Sequence, residues 1–144
     1  MKVVFDTSAV IKWFLKEKDS EKCREIRNLH IEGKVEIHSV DFMLVELSNV
    51  LRYAKGISKQ DVVEAIEAIR ALDIKLVSMQ KLLKDAIDRS FTYNLTVYDA
   101  LYVALSEKLE APLITYDMEI LQAFEKAIKA SEYLTLVSKK LRRE

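Results

Sequence analysis

The chain has 144 residues, half of them hydrophobic and 32% charged. That fits a single globular domain with one substantial core and excludes a disordered chain. With 23 basic residues against 23 acidic ones, coating nucleic acid by bulk charge is excluded, although a local basic rim is not.

A single cysteine, Cys23, excludes an intramolecular disulfide. The start Met1-Lys2-Val3-Val4-Phe5-Asp6 meets an acid before any signal-peptide core develops. No apolar stretch is long enough to span a bilayer, so a cytoplasmic location without membrane association is expected. Two glycines and one proline in the whole chain imply short connections and many helices.

In chain order, Lys2–Phe5 reads as a buried strand, and helices follow over about 8–15 and 20–32, the second ended by Gly33. Residues 35–38 form the second expected strand. Ser39 or Asp41 is placed to cap a long helix to about Ala54, and Gly56 stops it. Ser58-Lys59-Gln60-Asp61 resembles a capping box for a helix to about Ala71. Residues 74–77 give a third strand, Ser78 caps the next helix, and Thr96 caps a helix over 97–109. Residues 112–115 form the fourth strand, a helix runs over about 118–130, and Tyr133–Val137 gives a fifth strand. The basic end, residues 139–144, is expected to fray. Strands alternating with amphipathic helices predict an α/β fold on a parallel sheet, with residues 1–144 as one domain.

Four acids sit where acids are hard to place. Asp6 closes Val3-Val4-Phe5, and Glu46 interrupts a run from Phe42 to Leu47. Asp99 interrupts Val97-Tyr98 and Ala100–Leu105, and Asp117 follows Leu113-Ile114-Thr115-Tyr116. A carboxylate in apolar surroundings must be paired, protonated or bound to a cation, and no Lys or Arg is interleaved in these runs. Each acid has a plainer reading: Asp6 and Asp117 as helix N-caps, Asp99 as a capping-box or dipole partner. For Glu46, in mid-helix, neither a cap nor the helix dipole applies, so the plainer reading is weakest there. Parallel order puts every strand's C-terminal end on one edge, so all four acids are predicted to converge on one cleft.

The segments Val4–Ala9, Val45–Leu51, Tyr98–Leu105 and Leu113–Asp117 together resemble the PIN-domain family, most closely its VapC-type toxins. The resemblance spans nearly the whole chain. It implies a three-layer α/β/α domain around a central parallel sheet of about five short strands. It also implies that Asp6, Glu46, Asp99 and Asp117 form a Mg²⁺ or Mn²⁺ site that cuts RNA, supported by Ser8 and Thr115. A VapB-like antitoxin filling the cleft and a homodimer are implied as well. Where many relatives open the Glu-bearing helix with proline, this chain has Ser39-Val40-Asp41-Phe42, so Asp41 is expected to supply the first-turn chemistry.

The residue chemistry points the same way. Oxygen ligands without His or Cys suit Mg²⁺ or Mn²⁺ rather than zinc, and acids around such an ion suit phosphoryl chemistry. In-line attack by water would leave a 5′-phosphate and a 3′-hydroxyl, with Asp117 or Glu46 as general base. Asn49 shares a helical face with Glu46 and is a candidate support. Lys12, Lys16, Arg52 and Lys55 are candidate rim charges. Trp13 and Phe14 read as core or a subunit contact, His30 and His38 as isolated, and Cys23 as a packed thiol.

The competing readings are a PIN nuclease of RNA processing or decay, a non-catalytic RNA- or protein-binding module, and a phosphotransfer domain. Retention of all four acids disfavours the module. Ser8 in place of a second Asp, and Ser78 in place of a mid-chain acceptor, disfavour phosphotransfer.

Overall fold

The structure is a computed structural model of the chain and describes residues 1–143. Five strands, β1 (Lys2–Phe5), β2 (Glu36–Val40), β3 (Lys75–Val77), β4 (Leu113–Ile114) and β5 (Ala127–Ile128), form one sheet. Its order is β3-β2-β1-β4-β5, and every neighbouring pair is parallel. The helices are α1 (Thr7–Val10), continued by a 3₁₀ turn (Ile11–Trp13), α2 (Ser20–Ile31), α3 (Phe42–Tyr53) and α4 (Lys59–Ala71). They continue with α5 (Met79–Tyr93), α6 (Val97–Leu109), α7 (Met118–Ala123) and α8 (Ala130–Arg143). The architecture is a three-layer α/β/α sandwich, as expected.

Strand order determines where a site can form. The chain steps from β1 to β2 to β3 in one direction, then crosses back to lay β4 on the other side of β1. Right-handed crossovers put the helices of the first run on one face and those of the second on the other. The reversal lies between β1 and β4, where an open parallel sheet leaves a crevice beyond its carboxyl ends. Asp6 directly follows β1, and Asp117 follows β4 by three residues.

The sheet's centre is dry. Val3, Val4, Phe5, Ile37, Val40, Leu113 and Ile114 are fully buried. The α6 helix packs against β1, β2 and β4 and carries α5 on its outer side, so Ala100–Ser106 are buried continuously. This is why its sequence shows an apolar run rather than an amphipathic stripe. Trp13 packs against Phe5 with the rings tilted at 35° and their centroids 5.1 Å apart, and it donates its indole N–H to the Cys23 carbonyl, which assigns it to the core. The Ser58–Asp61 capping box is present with both reciprocal bonds.

Three expectations fail for local reasons. The fifth strand is Ala127–Ile128, not Tyr133–Val137, and the helix expected to reach Ala130 ends at Ala123. Tyr133 and Val137 instead lie with Ala130 on the buried stripe of α8. That spacing is helical, whereas β-branched and aromatic content had suggested a strand. Lys139–Arg143 belong to α8; Glu144 lies outside the described residues. Asp41 makes no side-chain bond to its own helix. Its Oδ1 accepts from the Met79 N–H at 2.9 Å and so caps α5, while Ser39 donates to the Phe5 carbonyl.

Candidate active site

Asp6 leaves β1 in an extended conformation and turns the chain into α1, where its Oδ1 accepts from the Ala9 N–H at 3.1 Å. Ser8 Oγ donates to the same oxygen at 2.7 Å, and Thr115 Oγ1 donates to Oδ2 at 2.5 Å. Ser8 accepts from the Tyr116 N–H and Thr115 from the Asp117 N–H, at 2.8 and 3.1 Å. The loops after β1 and β4 are therefore sewn together around one carboxylate that is only 4% exposed. Asp117 caps α7 by accepting from the Ile120 N–H at 3.1 Å. The capping readings of Asp6 and Asp117 thus hold, and neither prevents the two acids from facing the same cleft.

Glu46 enters from α3 and Asp99 from the first turn of α6, whose N-terminus Thr96 caps through the Asp99 N–H. Both are half-buried. Asp6, Thr7, Ser8, Ile11, Glu46, Val50, Asp99, Tyr102 and Asp117 line one cleft of about 260 Å³. All four acids singled out from the sequence are here, and among the described residues no Lys or Arg lines the cleft. Two larger grooves lie between α3 and α4, yet the acids among their lining, Asp61 and Glu64, are exposed helix residues.

The electrostatic cost is visible in the acids themselves. Burial lifts the Asp6 carboxyl from 3.8 to about 7 even though Ser8, Thr115 and the Ala9 N–H pull the other way, and Asp99 lifts it further. Asp99 rises to about 6 through burial, then through the charges of Asp117, Glu46 and Glu119, with Thr96 opposing. Like charges crowded without a basic partner raise one another's pKa, and a cation relieves them. The donor set, oxygen alone, fits a hard divalent ion. Among the described residues no three acidic, His or Cys side chains are already arranged to hold one. Asp6 already accepts on both of its oxygens and Glu46 on Oε1, and Mg²⁺ characteristically keeps several waters between itself and its protein ligands.

Two cleft residues escaped the sequence reading. Thr7 Oγ1 donates to Glu46 Oε1 at 2.8 Å, and the Tyr102 hydroxyl donates to the same oxygen. Tyr102 lies one turn past Asp99, so α6 spacing was its available signal, but the surrounding apolar run disguised it as core. Burial, and then Glu46, pushes its phenol far above the usual range, so it stays a donor.

Other sequence candidates fall outside the cleft. Asn49 is exposed on α3, where Val50 lines the wall instead. Lys12 is no rim charge: it is buried, paired with Glu17 at 3.2 Å and placed over the Tyr116 ring. Lys16, Arg52 and Lys55 are exposed. Tyr98, beside Asp99, is exposed and stacks on Phe42. Cys23 is buried against the Tyr116 hydroxyl, and burial pushes its thiol up to about 11, which keeps it inert. His30 is saturated by the Leu72 carbonyl and the Ile37 N–H.

The PIN domain model matches residues 3–126, a span containing every acid of the cleft. The chain belongs to the PIN-domain family. It is 33% identical over 131 residues to Ribonuclease VapC3 of Pyrobaculum aerophilum, covering 86% of this chain and 95% of the relative, which makes it a VapC-type member. A crystal structure of another Pyrobaculum aerophilum protein superposes with a TM-score of 0.68 at 17% identity, covering 96% of both chains. A toxin–antitoxin complex from Klebsiella pneumoniae gives 0.67 at 12% identity, over 89% of this chain and 97% of the other. VapBC2 from Rickettsia felis, bound to a promoter DNA fragment, gives 0.63 at 12% identity, over 90% and 97%. At these identities the solved structures speak for the fold alone.

Proposed function

We propose that this protein is a divalent-metal-dependent endoribonuclease, the toxin of a VapBC-like pair, acting in the cytoplasm. The observation that carries the reading is four carboxylates from four separate elements gathered at the sheet's reversal point without one basic side chain. Identity to a VapC ribonuclease over most of the chain supports the RNA substrate. Neighbours that include toxin–antitoxin complexes support a VapB-like antitoxin as partner. A homodimer belongs to the same proposal.

Asp6, Asp99, Asp117 and Glu46 would hold Mg²⁺ or Mn²⁺. The ion, when bound, neutralises phosphate charge and acidifies water. The chain's own contribution is positional. Ser8 and Thr115 favour the ionised form of Asp6, against its burial, and aim it by donating to both of its oxygens. The attacking water would give its proton to whichever of Glu46 and Asp117 is not engaged with the ion, and the departing 3′ oxygen would take one from solvent, leaving a 5′-phosphate and a 3′-hydroxyl.

The test is cleavage of a panel of structured and single-stranded RNAs with Mn²⁺, with Mg²⁺ and with EDTA, beside Asp6→Asn and Asp99→Asn. Metal-dependent cleavage lost in both variants is the expected result. Cleavage of equal strength by all three proteins marks a contaminant and removes the reading.

A further inference from the structure

Glu46 differs from the other cleft acids in how it is held. Asp6 is bonded through both oxygens, and Asp117 serves its own helix. Glu46 receives both of its side-chain bonds on Oε1, from Thr7 Oγ1 at 2.8 Å and from the Tyr102 hydroxyl. Among the described residues no hydrogen bond reaches Oε2. Thr7 and Tyr102 stand 3.1 Å apart, so the three groups form a closed triangle. Tyr102 is 2% exposed and its ring is fixed in the core, whereas a glutamate on a half-exposed helical face is otherwise free over three torsions.

The placement of the donors adds a second observation. Thr7 directly follows Asp6, and Tyr102 lies three residues past Asp99 on α6. Each donor is therefore rigidly attached to the element that carries another cleft acid. Any shift of α3 relative to β1 or α6 has to break this triangle.

We infer that Tyr102 and Thr7 are positioning residues for Glu46, fastening Oε1 and leaving Oε2 as the oxygen that acts in the cleft. The inference rests on the nuclease reading and assigns Glu46 a single working oxygen. A Glu46 chelating through both oxygens would have to give up at least one of the bonds on Oε1, with the cost of re-pairing a buried hydroxyl. Orienting bonds of this kind, one step removed from the reacting groups, set the geometry of a site as firmly as its direct ligands do.

The experiment uses the full chain with an RNA that the wild type cuts, and compares Tyr102→Phe, Thr7→Val, Thr7→Ser, Glu46→Gln and Tyr102→Phe/Glu46→Gln. Manganese binding is followed separately by calorimetry. Tyr102→Phe and Thr7→Val are expected to lower kcat about tenfold at unchanged KM, within the range seen when orienting partners of metal ligands are removed. Thr7→Ser, which keeps the hydroxyl, recovers most of the loss. In the Glu46→Gln background, Tyr102→Phe costs nothing further in kcat or in manganese affinity. The inference is overturned if the two losses multiply, or if Tyr102→Phe lowers only the melting temperature. Should the wild type cut no RNA, the nuclease reading falls. Manganese affinity then decides this inference alone: coupled losses at Tyr102 and Glu46 uphold it, and independent losses remove it.

Discussion

Asp6 carries a conflict that its neighbours reduce without removing. Three donors reach its two oxygens, yet burial still holds its pKa at about 7 against 3.8. An acid whose pKa is raised in the fold penalises folding once it ionises. The penalty is absent below about pH 4, grows as pH rises, and is complete above pH 7. A shift of that size is worth about 4 kcal/mol. Asp99, raised to about 6, acts in the same direction. In EDTA the melting temperature should therefore fall between pH 5 and pH 8. Added Mn²⁺ should raise it more at pH 8 than at pH 5, because the ion binds the ionised acids. A melting temperature in EDTA that stays level or rises over that range would contradict this account of Asp6.

Thr115 tests the same carboxylate from the other side. Its hydroxyl is fully buried, donates to Asp6 Oδ2 and accepts from the Asp117 N–H. Thr115→Val keeps the shape and strands both partners, so it should cost about 1–3 kcal/mol in urea denaturation and weaken manganese binding measured by calorimetry. A stable variant with unchanged manganese affinity would show that Thr115 merely fills space. Ser8 and Thr115 entered the sequence reading only through family resemblance, since a lone hydroxyl beside an acid has no periodic signature. Thr7 and Tyr102 lie within the segments that carry the resemblance but have no role assigned there. Their bonds depend on which side chains the fold brings together, and sequence spacing carries no record of that.

Among the elements, α5 and α8 show where local signals end. Ser78 precedes α5 as its cap residue but makes no capping bond, and Asp41, distant in sequence, supplies it. Asp41→Ala should cost about 1 kcal/mol, as loss of an N-cap does, and leave RNA cleavage intact. A destabilisation seen in thermal melts together with lost cleavage would assign Asp41 a further role. Within α8, the aromatic and β-branched residues Tyr133, Thr135 and Val137 favour a strand by composition. In the structure Tyr133 and Val137 are buried while Thr135 faces water, so Thr135→Lys should change stability by less than about 0.5 kcal/mol. Val137→Ala should cost about 2 kcal/mol. The reverse ranking would restore the strand. Most other elements were readable because their periodicity, caps and stops agreed, as at Ser58, Thr96 and Gly33. The two-residue strands β4 and β5 are too short for periodicity to decide, and β4 was located only by Pro112 and its neighbours.

At the scale of the whole molecule, the cleft exists because the chain reverses direction between β1 and β4. Glu46 comes from the β2–β3 connection and Asp99 from the β3–β4 connection, which right-handed crossing sends to opposite faces. Neither layer holds the site alone. Within the fold the acids repel one another, so a cation that binds them joins the two layers. Mn²⁺ at a hundred times its dissociation constant adds about 2.7 kcal/mol to any opening that separates them. Hydrogen exchange should record this unevenly. Amides at the starts of α1, α6 and α7, beside Asp6, Asp99 and Asp117, should slow on adding Mn²⁺, and so should those of α3 around Glu46. Amides in α4 and the outer half of α8 touch no cleft acid and should exchange at their metal-free rates, provided their local opening leaves the cleft intact. Uniform slowing would mean that the ion acts only through global stability. Slowing in α4 alone would place the ion elsewhere, in the groove between α3 and α4, and would separate cation binding from the four acids altogether.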